Sequence, residues 1–473
     1  MSRPAHRREL RLNAFQMCAP GHTWAGLWRH PRNASADYNT LDYWVSVART
    51  AERGLLDGVF LADVFGTYDV YGGNADAALA RAAQAPSADP FLVVPAMAHA
   101  TQHLGFGVTA NLTYEHPYPF ARRVSTLDHL TGGRAGWNVV TGYLESGARG
   151  MGLAQARAHD TRYEAGEDFL AAVYALWEGS WEDGAVRRDR AGGVFTDPAK
   201  VHRVRHDGPY YRVDGRHLAE PSPQRTPVLY QAGTSSRGRL FAGRHAECVF
   251  LNGHTPAVAA RSVRALREAA RASGRDPYDV LMFLGATVIA APTRAEALDL
   301  RDEYARYLDA EGQLALVSGW TGIDLSGLAP DEALAYVRTN AMQSLVENLT
   351  IPGERPFTAG DFAEFGPRGA RAPFIVGAAS EVADELLAWA EATDVDGFNL
   401  TRVVVPETLE AVVDLVVPEL QSRGAFKRRY REGTLREKLF PEGDARLKPS
   451  HPGAAHRRPP RPAPEPRAAE ASA

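Results

Sequence analysis

The chain has 473 residues, of which 45% are hydrophobic, 23% charged and 9% aromatic, an ordinary globular composition that excludes collagen, coiled coil and disorder for most of its length. Lys+Arg 53 against Asp+Glu 57 leaves a formal net charge of −4, with no cationic surplus to neutralise nucleic-acid phosphates. Cys18 and Cys248 are the two cysteines, too few for a disulfide framework or a four-thiolate metal site, so no metal is expected.

No apolar stretch approaches the ~18 residues of a membrane span, and the first residues carry charges without an apolar targeting core. This reads as a cytoplasmic protein. Along the chain, short β-rich runs alternate with segments of 3.6-residue periodicity. In order they are strand 10–16, helix 41–53 closed by Gly54 as a C′ residue, strand 57–63, strand 103–110, and helix 120–130 closed by Gly132 and Gly133. Strand 134–141, helix 161–177, strand 227–232, helix 236–245, strand 247–251 and helix 256–273 follow. Last come strand 280–289, helices 294–308 and 381–391, strand 397–401, and helix 406–421 with Pro406 at its start and Gly424 past its end.

Eight strands separated by helices require parallel crossovers, and eight is the count that closes an α/β (β/α)8 TIM barrel. An open doubly wound sheet fits the same alternation. A barrel takes ~250 residues, and the surplus is assigned to large insertions near 179–226 and 311–373, the second holding a helix-like stretch 330–349 and a polar loop 353–372. A single domain is expected over 1–448. Residues 449–473, rich in Pro, Ala and Arg, read as a disordered tail.

Barrel chemistry belongs at the carboxyl ends of the strands. Those ends hold 16–22, Asp63, Thr109 with Asn111, 138–143, 231–236, 252–254 and Asn399. The chain has no G-x-S-x-G, H-E-x-x-H or P-loop motif. The stretch 227–238 is a better anion candidate, because a strand ends in small polar residues that open a helix whose free N–H groups and dipole face the anion, with the Ser235 hydroxyl as a further donor. Thr234 or Ser235 reads equally as a simple N-cap. At the next helix start, Thr161-x-x-Glu164 matches a capping box. His159 and Tyr163 are four apart, so a helix extended back by a turn puts both on one face, able to meet an anion or a ring; a capped surface helix is the alternative. Asp63 ends a largely apolar run, where a buried carboxylate needs donors that a polar cofactor supplies, although a loop cap also fits. His22, Trp24, Trp28 and Arg29 suit pocket lining or loop packing.

Several segments together resemble a known family. They are Phe60-Leu-Ala-Asp63, His116-Pro-Tyr-Pro-Phe-Ala-Arg122, Gly133-Arg-Ala-Gly-Trp-Asn-Val-Val-Thr141, His159-Asp-x-Arg-Tyr163, Pro223-Gln-Arg-Thr-Pro-Val-Leu-Tyr-Gln-Ala-Gly233, Asp396-Gly-Phe-Asn-Leu400 and Val417-Pro-Glu-Leu-Gln-Ser-Arg-Gly424. In this order they resemble the bacterial-luciferase-like flavin-dependent monooxygenases, in the branch of nitrilotriacetate monooxygenase component A and dibenzothiophene-sulfone monooxygenase. Leu176-Trp-Glu-Gly-Ser-Trp-Glu-Asp183 and Glu432-Gly-Thr-Leu-Arg-Glu-Lys-Leu-Phe440 bring the chain nearest to the long-chain alkane monooxygenases.

The resemblance implies an inserted TIM barrel holding FMN at its carboxyl face. Asp63, Thr109, His159, Tyr163 and Ser235 match family flavin contacts, with Ser235 and Tyr163 nearest the phosphate; Asn138 is added from the carboxyl-end residues. Gly142 stands where the branch usually has Ser. His22 matches the alkane enzymes' His-rich pocket, while Ala19, Tyr143 and Gln313 differ from it, and Tyr143 and Gln313 are taken as substrate-pocket positions. The implied system has two components, in which a separate NAD(P)H:flavin reductase supplies FMNH2 and O2 adds at the flavin C4a position to give a peroxyflavin. His22, with an ordinary pKa near neutrality, is the candidate to hold or protonate the peroxide, and 311–373 the candidate lid. The expected substrate is small and largely apolar, with alkane hydroxylation the nearest precedent and sulfones, aminopolycarboxylates and natural-product precursors also within the branch. A homodimer or homotetramer is expected by analogy. A deazaflavin-dependent dehydrogenase and a non-catalytic flavin binder are the alternatives.

Overall fold

The computed structural model describes residues 9–458 apart from 234, 336, 338, 343–344, 348–349, 351–356 and 365–371. Eight parallel strands, β1 Arg11–Met17, β2 Gly58–Ala62, β3 Gly105–Asn111, β4 Ala135–Val140, β5 Val228–Gln231, β6 Cys248–Leu251, β7 Leu281–Ala291 and β8 Gly397–Thr401, pair in sequence order. β8 then pairs with β1, Arg11 opposite Gly397, and closes the ring. Closure settles the choice against an open sheet, and each of the eight expected strands is present.

The strands are buried on both faces. Inside the ring, Phe15, Phe60, Tyr230, Phe250 and Phe283 fill the barrel, and Phe15 meets Phe250 edge-on at 4.9 Å. Outside, the helices α1 Leu41–Arg53, α2 Pro117–Leu130, α3 His159–Gly179, α4 Ser236–His245, α5 Pro256–Ala272 and α6 Arg294–Ala305 pack apolar residues on the sheet, whereas α7 Ala310–Thr321 packs in a separate cluster with Tyr68, Leu144 and Leu325, and α8 Ala379–Thr393 returns to the sheet. The amino end is plugged by the short helix Leu435–Leu439, whose Leu435 and Leu439 enter the barrel core. Its Arg436 reaches Glu247 at 2.7 and 2.9 Å and the carbonyls of Thr226 and Pro227.

Several local expectations are corrected. A ninth parallel strand, Phe374–Ala378, pairs with the outer half of the 11-residue β7. The insertion 179–226 carries two antiparallel hairpins, Val186–Asp189 with Val194–Thr196 and Val204–Asp207 with Arg212–Gly215. The stretch 330–349 is not one helix: Ala333 forms a β-bridge with Thr358, and Leu334 N–H donates to the Phe357 carbonyl at 2.8 Å, burying Leu334 beside Trp320. Most of the loop expected at 353–372 lies outside the described residues, as do 459–473. Residues 449–458, expected in the tail, pack instead through the turn Pro452–His456, because His451 and Arg457 find buried partners in the His245 carbonyl and Glu178. Gly54 has φ −81 and Leu55 takes the left-handed position at φ 57; glycine serves at 54 because a Cβ would lie 2.4 Å from Val413. The last helix continues from Glu407 to Ser422 through a π-helical turn at Val412–Val416.

Candidate active site

The carboxyl ends of β1 to β6 and β8 surround a cavity of about 280 Å³. At one end stands the start of α4. Ser235 is its N-cap and accepts from Gly238 N–H at 3.1 Å, so the capping reading holds; its hydroxyl also lies 3.3 Å from His159 Nε2 and bonds the Tyr163 hydroxyl. Residue 234 lies outside the described residues. The backbone must come close here, since a Cβ on Gly233 would meet the Tyr163 hydroxyl at 2.6 Å and one on Gly238 would meet it at 2.8 Å. The helix α3 begins at His159, which stacks edge-on to Tyr163 at 5.2 Å and places both on one face. That early start leaves Thr161 inside the first turn, and no capping box forms; Glu164 accepts instead from the Tyr210 hydroxyl at 2.9 Å.

Between them on the same turn is Arg162, which the sequence reading passed over. The residue is 3% exposed and lines the cavity, one Nη donating to the Asn340 carbonyl at 2.8 Å. Its Nε has no hydrogen-bond partner among the described residues. A desolvated cation, a hydroxyl pair, an imidazole and a helix N-terminus converge on one spot, the donor set that suits a phosphate.

The middle of the cavity is amide-rich. Asn138 Nδ2 donates to Thr109 Oγ1 at 2.8 Å, while Asn138 Oδ1, Gln231 Oε1 and Asn111 Nδ2 are buried without partners among the described residues. Leaving such a group unpaired costs about 1–3 kcal/mol, so three at one cavity point to a polar ligand that pairs them. A flavin fits these residues: the orphan donor and acceptors would meet the polar edge of its planar ring, and the anion end lies beside them. Asp63 borders this region half-buried, and desolvation, then the like charge of Asp89, push its carboxyl up to about 6 against the donated Val64 N–H. Gly142 has φ +69, and a Cβ there would lie 2.2 Å from Asn111 Nδ2. The absence of a side chain at 142 makes room for the Asn111 amide.

The far end is aromatic. His22, 4% exposed, sits edge-on to Phe15 at 4.5 Å, and Phe60, Phe250, Tyr143, Trp320, Gln84 and Met342 complete the wall. Of the expected positions, His22, Asp63, Thr109, Asn138, Tyr143, His159, Tyr163 and Ser235 come together here. Gln313 does not: fully buried on α7, it accepts from Ala25 N–H at 3.1 Å and donates to the Thr23 carbonyl at 3.3 Å, clamping α7 to the loop after β1. Two helical turns on, the same helix delivers Trp320 to the cavity, with no motif in the sequence to announce it.

A family description of luciferase-like monooxygenases matches residues 15–396. The chain belongs to this family of flavin-dependent monooxygenases. It is 46% identical over 453 residues to the dimethyl-sulfide monooxygenase of Hyphomicrobium sulfonivorans, covering 95% of this chain and 94% of that one. To the long-chain alkane monooxygenase of Geobacillus thermodenitrificans it is 44% identical over 450 residues, covering 95% and 98%. Among solved structures, a riboflavin lyase with modified FMN and riboflavin matches with a TM-score of 0.90 at 39% identity, covering 95% of this chain and all of that one. Enzymes named for a sulfide and for an alkane are thus almost equally similar to this luciferase-like chain.

Proposed function

We propose that the chain is the oxygenase component of a two-component system, using FMNH2 from a separate NAD(P)H:flavin reductase and O2 to oxygenate a small, largely apolar organic substrate. The observation that carries this is a single cavity with a phosphate-suited donor cluster at one end, unpaired buried amides in the middle and an aromatic chamber at the other. Bound reduced flavin supplies the activation of O2. The protein's residues do the rest. Arg162, His159, Tyr163 and Ser235 hold the phosphate, and Asn138, Thr109, Asn111 and Gln231 orient the ring by filling their open hydrogen-bonding positions. Phe15, Phe60, Phe250 and Trp320 exclude water, which suppresses unproductive release of H2O2. His22, buried against Phe15, holds or delivers a proton at its imidazole.

Titration with FMN, FMNH2 and a deazaflavin coenzyme, followed by oxygen uptake with a supplied reductase, tests the reading. Tight FMNH2 binding and substrate-stimulated oxygen uptake with an alkane or dialkyl sulfide are expected. Preference for the deazaflavin, or flavin binding without any oxygen-dependent product across alkanes, sulfides, sulfones and amines, rejects it.

A further inference from the structure

Gln313 does not line the cavity, yet it is tied to residues that do. It is fully buried; its Oε1 accepts from Ala25 N–H at 3.1 Å and its Nε2 donates to the Thr23 carbonyl at 3.3 Å. The amide has one orientation here, because turned over it would set N–H against N–H and carbonyl against carbonyl. Both backbone groups are satisfied by a side chain of this length that accepts with one atom and donates with the other. In a site closed to solvent, losing that side chain orphans them both.

His22 and Thr23 line the chamber from the loop after β1, and Trp320 lines it from α7. Gln313 and Trp320 are seven residues apart, about 10 Å along a helix, and both ends of this span return to the same loop. At the Trp320 end, Trp320 Nε1 donates to the Tyr68 hydroxyl at 3.1 Å, that hydroxyl to Gln84 Oε1 at 2.7 Å, and Gln84 Nε2 to the His22 carbonyl at 2.9 Å. At the other end Gln313 makes the tie directly. Asp309 N–H also reaches the Ala25 carbonyl at 3.1 Å, but from the N-cap, ahead of the first turn; Gln313 holds from within the helix. α7, buried over nearly its whole surface, is thus a stiff span fixed to the loop at two points, and the frame so formed borders the chamber. We propose that Gln313 is a positioning residue that sets the spacing between Trp320 and the His22–Thr23 wall, and through it the preference of the chamber for small substrates over bulky ones. That the chamber takes the substrate rests on the function proposed above; the frame rests on the hydrogen bonds alone.

The test compares the wild-type full chain with Gln313→Met and Gln313→Glu at pH 5.5, with and without FMN, reading affinity for dimethyl sulfide and dibutyl sulfide by saturation-transfer NMR. Gln313→Met keeps the bulk and removes both bonds. It is expected to bind dimethyl sulfide about tenfold more weakly, dibutyl sulfide within about twofold of wild type, and FMN as before; a merely structural loss would weaken all three together. In Gln313→Glu, burial keeps the carboxyl protonated at this pH, so its carbonyl accepts from Ala25 and its O–H donates to Thr23. Wild-type selectivity is expected to return, and to fall to that of Gln313→Met as rising pH ionises the carboxyl against the Thr23 carbonyl. The wild-type protein at each pH accounts for the other groups that titrate or carry charge nearby, Asp309, Glu311 and Arg81 beside the clamp and His22 and Asp63 at the chamber. An unchanged sulfide ratio in Gln313→Met overturns the proposal, as does a Gln313→Glu ratio at pH 5.5 equal to that of Gln313→Met; should Gln313→Met not fold, Gln313→Leu takes its place. Absence of FMN affinity rejects the proposed function, while the ratio measured without FMN still judges Gln313. If wild type binds neither sulfide, hydrogen exchange judges the frame: 22–26 and 314–321 must exchange faster in Gln313→Met and return to wild type in Gln313→Glu at pH 5.5, and unchanged exchange overturns it.

Discussion

Arg162 lies in the first turn of α3 between His159 and Tyr163, three residues from one and next to the other, so the same helical face that brings those two to the cavity also brings the guanidinium. Its hydrogen bonds go to backbone carbonyls, and burial holds its pKa below the ordinary value. A cation so placed is suited to an anion that enters with a ligand. Replacing it by Met keeps the bulk and removes the charge. Arg162→Met is expected to weaken FMN binding about 100-fold and riboflavin binding by less than about twofold, since riboflavin lacks the phosphate. Fluorescence titration of both flavins reads the difference, and an equal loss for the two would move the phosphate elsewhere. The signal for Arg162 was present in the sequence as spacing. That for Asn111 was its place at the end of β3, but nothing short of the fold shows that Gly142 is what leaves room for its amide.

At the scale of elements, the eight barrel strands were legible because each is a short apolar run bounded by turn residues, and α4, α5 and α8 because their apolar stripes keep the 3.6-residue period. The strand Phe374–Ala378 was not, because it extends the outer end of β7 rather than joining the ring. α7 escaped notice for a related reason: in its sequence, AEGQLALVSGWT, buried residues occupy nearly the whole surface, so no amphipathic stripe marks it. This helix and the segment after it close over the cavity. Met342 N–H donates to the Trp320 carbonyl at 2.9 Å, Thr339 Oγ1 to the Thr321 carbonyl at 2.7 Å, and Arg162 to the Asn340 carbonyl. Arg162 thus joins the anion end to the covering segment. Binding of FMN is expected to slow hydrogen exchange at 310–321 and 339–342, and riboflavin to do so less. Unchanged exchange with FMN would deny this insertion a part in closure.

The whole molecule has its chemistry at the carboxyl end of the barrel and a sealed amino end, and the two ends respond to acid with opposite sign. Asp63, at the cavity, has a carboxyl raised to about 6; its charged form is disfavoured by the fold, so acidification through that value relieves a cost. At the sealed end, the C-terminal segment rests on histidines. His451 donates to the His245 carbonyl at 2.8 Å, His245 bonds Glu167 at 2.8 Å and Tyr174 at 3.2 Å, and His456 packs against Tyr174. Burial holds His451 well below the ordinary value, with Arg275 adding to the shift; it also lowers His245 against the pull of Glu167, and His456 against that of Glu178. These rings hold protons less readily in the folded protein than in the unfolded chain, where they take them up below about 6.5. Their contribution to stability is therefore complete above that pH and falls away below it, by up to roughly 1.4 kcal/mol per pH unit for His451 and for His245 and by less for the partly exposed, solvent-screened His456. Between pH 7.5 and pH 5.5, exchange at 449–458, corrected for its intrinsic pH dependence, is expected to speed up more than exchange in β1 to β4. His451→Asn, which keeps a donor but cannot take up a proton, should flatten that response. If 449–458 keeps its protection at pH 5.5, the histidines do not govern how the C-terminal segment is held.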